Sequence, residues 1–217
     1  MEKIKENLNS ILSVLLFLMV GVIAFIIGKI ILFSPSIFTN DYAIVLLEML
    51  LPIIIFPVTY CFCKILKQDL CKIGISKKNL TKSIIVGIVI SVILVLVFGI
   101  HRTYQNWHVA IVRFIYFLVC ISAVEEIVFR GFIRQNICKN KIAAYLLSGI
   151  LFSISHVTFP IVVYNLEIIP YILSRSFALI IYVIIHLFLQ IVYDKYQNCI
   201  GPIIIHLIID FLGVLAF

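Results

Sequence analysis

The chain has 217 residues, 64% of them hydrophobic and 12% charged, with a formal net charge of +7 and a mean hydropathy of +1.22. A soluble domain of this length carries about twice that charged fraction. A water-exposed globular surface is therefore excluded, and an all-α, polytopic helical membrane protein is expected.

Seven apolar runs are long enough to cross a bilayer, near residues 11–33, 42–63, 83–100, 110–138, 142–159, 171–192 and 200–217. Helices are the expected spanning form, because the runs approach about 20 residues and lack strand-like alternation. The first run is too long for a secretory signal and lacks a small-residue cleavage pattern, so it reads as a retained span. Pro52 and Pro57 lie inside the second, where a kink is expected. Pro35, Pro160, Pro170 and Pro202 lie at or near run ends. No repeat, linker or low-complexity segment divides the chain, so residues 1–217 read as a single transmembrane domain.

Lys and Arg alternate between connections. Lys3 and Lys5 precede the first span, six lysines from Lys64 to Lys82 fill the next basic connection, the region from 130 to 141 has Arg130, Arg134, Lys139 and Lys141, and Lys195 lies between the last two spans. The 34–41 and 160–170 connections have no Lys or Arg, and 101–109 has only Arg102. The positive-inside rule then puts the N-terminus in the cytoplasm and Phe217 outside. The excess charge is expected to face anionic lipid, with the bilayer and not nucleic acid as partner. Cys61, Cys63, Cys71, Cys138 and Cys199 fall on the cytoplasmic side and Cys120 within a span, so free thiols are expected. His101 and His108 flank Trp107 as interfacial anchors, and Arg113 and Arg175 are placed to reach headgroups. Lys29 and Glu48 lie at similar depths, as a stabilising pair or with Lys29 snorkelling. His186 reads as a packing or interhelical hydrogen-bonding residue.

The fourth span carries the run Val124 to Arg130, with Glu125, Glu126 and Arg130 in an otherwise apolar stretch. Charges at hydrocarbon depth are costly and are functional candidates by default. Glu126 and Arg130 are i, i+4 and can pair on one helix face. Glu125 points about 100° away and has no partner on its own helix. Two further intramembrane pairs share that spacing, Phe152 with His156 in the fifth span and His206 with Asp210 in the seventh. At about 1.5 Å per residue their depths are compatible with one site between the fourth, fifth and seventh spans.

These three segments, Glu-Glu-Ile-Val-Phe-Arg, Phe-Ser-Ile-Ser-His and His-Leu-Ile-Ile-Asp, resemble in order and spacing the signatures of the CAAX protease and bacteriocin-processing (CPBP, or Abi) family of intramembrane endopeptidases. The resemblance covers about residues 110–217, a CPBP-like catalytic core; residues 1–109 hold the N-terminal spans, without a recognised motif. It implies hydrolysis of a peptide bond in a membrane-associated peptide or protein. Glu125 and His156 would hold and activate water, His206 and Asp210 would face the oxyanion, and Glu126 and Arg130 would fix the helix geometry, with Phe152 as packing. Asp210 departs from the family's usual Asn, since an ionised Asp cannot donate a hydrogen bond. It would be protonated or would instead orient and charge His206. The resemblance also implies a bacterial plasma membrane as location.

No cofactor is expected. A zinc alternative would use Glu125, His156 and His206 as ligands with water in the fourth position, but the HExxH signature is absent. Two other function classes remain. One is a non-proteolytic membrane protein of the same fold, acting in bacteriocin immunity or as a scaffold. The other is a small proton-coupled transporter using Glu125, which explains the acids but not the order of the three motifs.

Overall fold

A computed structural model of the chain describes residues 2–34, 41–99 and 107–213, and its regular elements are all helical among these residues. They are α1 (Glu2–Leu32), α2 (Asp41–Glu48), α3 (Leu50–Ile65), a 3-10 turn (Leu70–Ile73), α4 (Leu80–Phe98), a composite helix α5 (Trp107–Asn136), α6 (Lys141–Val163), α7 (Ile168–Ser174), α8 (Ser176–Tyr196) and α9 (Ile200–Leu212). Six stretches are long and apolar enough to cross a membrane, with α2 and α3 together forming one of them.

The expected seventh span is shorter than its apolar run. Helix α9 has 13 residues, or about 20 Å of rise against a hydrocarbon core of about 30 Å. Gly213 closes it in the left-handed conformation at φ 66°, a common glycine C-terminus. Residues 214–217, and with them the placement of Phe217, lie outside the described residues, as do Pro35, His101 and Arg102. The sixth span begins at Ser176, because the run from 171 is broken at Arg175 into α7 and α8.

Proline explains two local departures. Pro52 has no N–H to offer the Glu48 carbonyl, and the helix is interrupted there, at Met49. Pro160 lies inside α6 rather than at its end, so the His156 carbonyl loses its usual helical donor.

The basic connections gather at one end of the bundle. Lys139 pairs with Glu6, and the Ser10 hydroxyl donates to the Ile137 carbonyl at 2.7 Å. The Tyr193 hydroxyl donates to the Lys72 carbonyl at 2.9 Å, and Asn198 donates to the Ser76 carbonyl at 2.8 Å. Gln68 donates to the Asn136 side-chain carbonyl and joins these two pairs of segments, so the four Lys/Arg-bearing segments share one end of the bundle, as their alternation along the chain requires. Lys29 does not pair with Glu48; its ammonium lies over the rings of Phe25 and Phe33. All six cysteines are free.

Two contacts fix the elements that carry the polar pairs. Helix α9 crosses α4 at glycine: a Cβ on Gly201 would meet the Ser83 carbonyl oxygen at 2.7 Å, and one on Gly87 would meet the Gly201 carbonyl oxygen at 3.1 Å. The Ser83 hydroxyl accepts the Gly201 N–H at 2.8 Å. Small residues let helix backbones approach where no hydrophobic drive separates protein from lipid. On the other side, α1 packs along α6 and α5. Leu16, Ile55, Phe129, Phe132 and Phe152 form a fully buried apolar layer between them. The motif-free N-terminal helices thus wall the polar cluster.

Candidate active site

Helix α5 is not a regular α-helix where it carries its charges. Phe117–Ser122 and Glu126–Ile133 are π-helical, with a single α-helical turn, Ala123–Glu125, between them. The Ala123 N–H donates to the Leu118 carbonyl and the Arg134 N–H to the Phe129 carbonyl, each five residues back. Wide turns of this kind are rare and concentrate at functional sites. Here they set the phase of two adjacent carboxylates so that both reach one imidazole on α9.

That imidazole is His206, which is only 2% exposed. Its Nδ1 lies 2.7 Å from Glu126 Oε1. Its Nε2 lies 3.6 Å from Glu125 Oε2 and 3.4 Å from Asp210 Oδ2. Glu126 also pairs with Arg130, and both are fully buried. The i, i+4 pair expected on α5 is present, but Glu126 is shared between a guanidinium and an imidazole. A carboxylate oxygen engaged by Arg130 accepts, so Nδ1 of His206 carries a proton.

His156 approaches from α6. Its Nδ1 lies 2.8 Å from the Phe152 carbonyl one turn back. A carbonyl only accepts, so this bond fixes the proton on Nδ1 and turns Nε2 toward Glu125 Oε2, 3.8 Å away. Tyr182 of α8 stacks on the ring, with centroids 4.1 Å apart at 25°. Phe152 forms the floor of the cluster. Its ring centroid is 5.8 Å from that of His206, 4.6 Å from that of His156 and 5.3 Å from the Arg130 guanidinium. Burying a guanidinium over an aromatic face recovers part of its lost hydration.

Glu125, His156, His206 and Asp210 thus come together with Glu126, Arg130 and Phe152, from α5, α6 and α9. His186 stands outside this group: its Nε2 is 2.9 Å from the Ser148 hydroxyl, and its carbonyl accepts from Arg130 Nε at 3.4 Å. It joins helices by hydrogen bonds, one of the two expected roles. Sequence reasoning missed Tyr182, although it precedes His186 by four residues and so shares its helix face.

The cluster opens into a cavity of about 420 Å³. Glu125, His156 and Asp210 line it from one side, and Val20, Ile27 and Leu51 from the other. Glu125 Oε2 and Asp210 Oδ2 are buried without a hydrogen-bond partner among the described residues. Acceptors in this position suit a donor delivered by water or substrate. For zinc, the donor set is chemically suitable, since both Nε2 atoms point toward Glu125. Among the described residues no group of three or more His, Cys, Asp or Glu side chains is arranged to hold a metal ion.

Residues 106–212 match the family model described as "Rce1-like: Type II CAAX prenyl endopeptidase Rce1-like". No curated protein and no solved structure matches the chain.

Proposed function

Because the chain belongs, through residues 106–212, to the Rce1-like family of CAAX proteases, we propose that it is an intramembrane endopeptidase in which Glu125 activates water to cleave a membrane-associated peptide or protein. The observation that carries this reading is the position of Glu125 Oε2, at the edge of a cavity and 3.8 Å and 3.6 Å from the Nε2 atoms of His156 and His206. With Nδ1 of His156 committed to a carbonyl, Nε2 presents a lone pair. A water between the two groups donates one proton to His156 and the other to Glu125, which leaves its oxygen lone pairs for a substrate carbonyl.

In the proposed reaction the water oxygen bonds to the carbonyl carbon as Glu125 takes the proton. His206, protonated on both ring nitrogens, donates from Nδ1 to Glu126 and from Nε2 to the oxyanion. Asp210 lies beside the same Nε2 and balances its charge. Collapse breaks the C–N bond while Glu125 passes its proton to the leaving amine. The products leave as a carboxylic acid and an amine, and transfer of the remaining proton between them gives a carboxylate and an ammonium group; no metal takes part in the proposed steps. The reading also places the basic end of the bundle on the cytoplasmic side of a plasma membrane.

The test is cleavage of membrane-associated peptides by purified protein in detergent, run in heavy-oxygen water with and without a chelator. Hydrolysis by metal-free glutamate chemistry puts one heavy oxygen in each new C-terminal carboxylate and survives chelation. Activity lost on chelation and restored by zinc would overturn the metal-free mechanism. A folded protein that cleaves nothing would favour the non-proteolytic reading.

A further inference from the structure

The cavity contains a third carboxylate, which the proposed chemistry does not use. Glu48 ends α2 at the break before Pro52. It is 8% exposed and lines the same cavity as Glu125. The Tyr116 hydroxyl is hydrogen-bonded to it, yet its Oε2 is buried without a hydrogen-bond partner among the described residues. The nearby cation of the N-terminal helices is turned elsewhere, because Lys29 lies over Phe25 and Phe33. The cavity lining holds three carboxylates, Glu48, Glu125 and Asp210, and neither Lys nor Arg.

A buried carboxylate without a counter-charge is costly to keep. The wall that accompanies it is apolar, with Val20, Ala24, Ile27, Leu51 and Phe159 among its residues. A site with an apolar wall and an acid fits a group with an aliphatic stem and a cationic head. We propose that Glu48, seated by Tyr116, is a specificity determinant that takes a lysine or arginine side chain of the substrate while Glu125 addresses the peptide bond. This rests on the peptidase reading and deepens it. Glu48 is a recognition group here and takes no part in the bond-breaking steps.

The test separates recognition from cleavage. Synthetic apolar peptides carrying a single Lys, Gln or Leu would be titrated against the Glu125→Gln protein and against Glu125→Gln combined with Glu48→Gln. The Lys peptide should bind the first at least about tenfold more tightly than the Gln or Leu peptides, since a charge-assisted bond is being read. The added Glu48→Gln change should erase that difference and leave the Leu peptide unchanged. Equal binding of the three peptides to Glu125→Gln would overturn the proposal, whatever the wild-type protein cleaves. Failure of wild-type protein to cleave a peptide that binds would instead count against the peptidase reading.

Should the double variant fail to fold, a competition on the Glu125→Gln protein decides the matter. A long-chain alkylammonium should displace the Lys peptide, and the alcohol of the same length should not. Equal displacement by the two would contradict the assignment.

Discussion

His206 Nδ1 and Glu126 Oε1 are 2.7 Å apart across the α9–α5 contact, so the acid that pairs with Arg130 on its own helix also orients an imidazole on another. The same oxygen serves both partners. Helix geometry and site geometry therefore depend on one side chain.

Glu126→Gln should for that reason be a stability variant first. It keeps the shape but strands the Arg130 guanidinium. Losing one partner of a buried pair costs about 3–5 kcal/mol. The expected outcome is a lower yield of folded protein and a lower thermal midpoint in detergent, with Arg130→Ala behaving alike. Normal stability in both variants would contradict the shared-acid account.

Gly201→Ala should reduce activity without touching a polar residue. Its Cβ would fall 2.7 Å from the Ser83 carbonyl oxygen, so α9 must move and carry His206 with it. A displacement of about 1 Å in an aligned site can cost about a hundredfold in rate. The turnover number of folded Gly201→Ala protein, compared with wild type, checks this; an unchanged value would mean that the α4–α9 contact does not position the site.

Asp210→Asn distinguishes the two roles open to this position. Its Oδ2 is 3.4 Å from His206 Nε2, where a carboxylate can balance an imidazolium and an amide cannot. The expected result is a loss of about tenfold or more in kcat/KM. Retained activity would favour a protonated Asp210 that donates to the oxyanion.

Orientation can be tested on existing residues. The basic connections share one end of the bundle, and the positive-inside rule assigns that end to the cytoplasm. An impermeant thiol reagent added to intact cells should miss Cys71, which is exposed in the 64–82 connection, and should label a cysteine introduced at Asn165. External labelling of Cys71 would invert the topology.

The site was legible where its signal is local. Glu126 with Arg130, Phe152 with His156 and His206 with Asp210 are each one helical turn apart, and helix periodicity makes such pairs readable. The meeting of Glu126 with His206 was not legible, because it depends on two π-helical segments that local spacing does not announce. The length of α9 was not legible either. The apolar run continues past Gly213, and only the backbone conformation of that glycine reveals the stop. The part played by α1 and α3 left no trace, since Val20, Ile27 and Leu51 are apolar residues in apolar spans. The stacking of Tyr182 on His156 was not legible, because a ring contact between two helices has no sequence spacing of its own.

The central claim is that Glu125 performs chemistry while Glu126 holds structure. The most direct measurement is peptide cleavage by purified Glu125→Gln protein, with its thermal midpoint recorded on the same sample. The account predicts a midpoint close to wild type, because Glu125 is not part of the Arg130 pair, together with a loss of cleavage of about a hundredfold or more, the scale of a lost general base. Cleavage at the wild-type rate by that folded variant would contradict it.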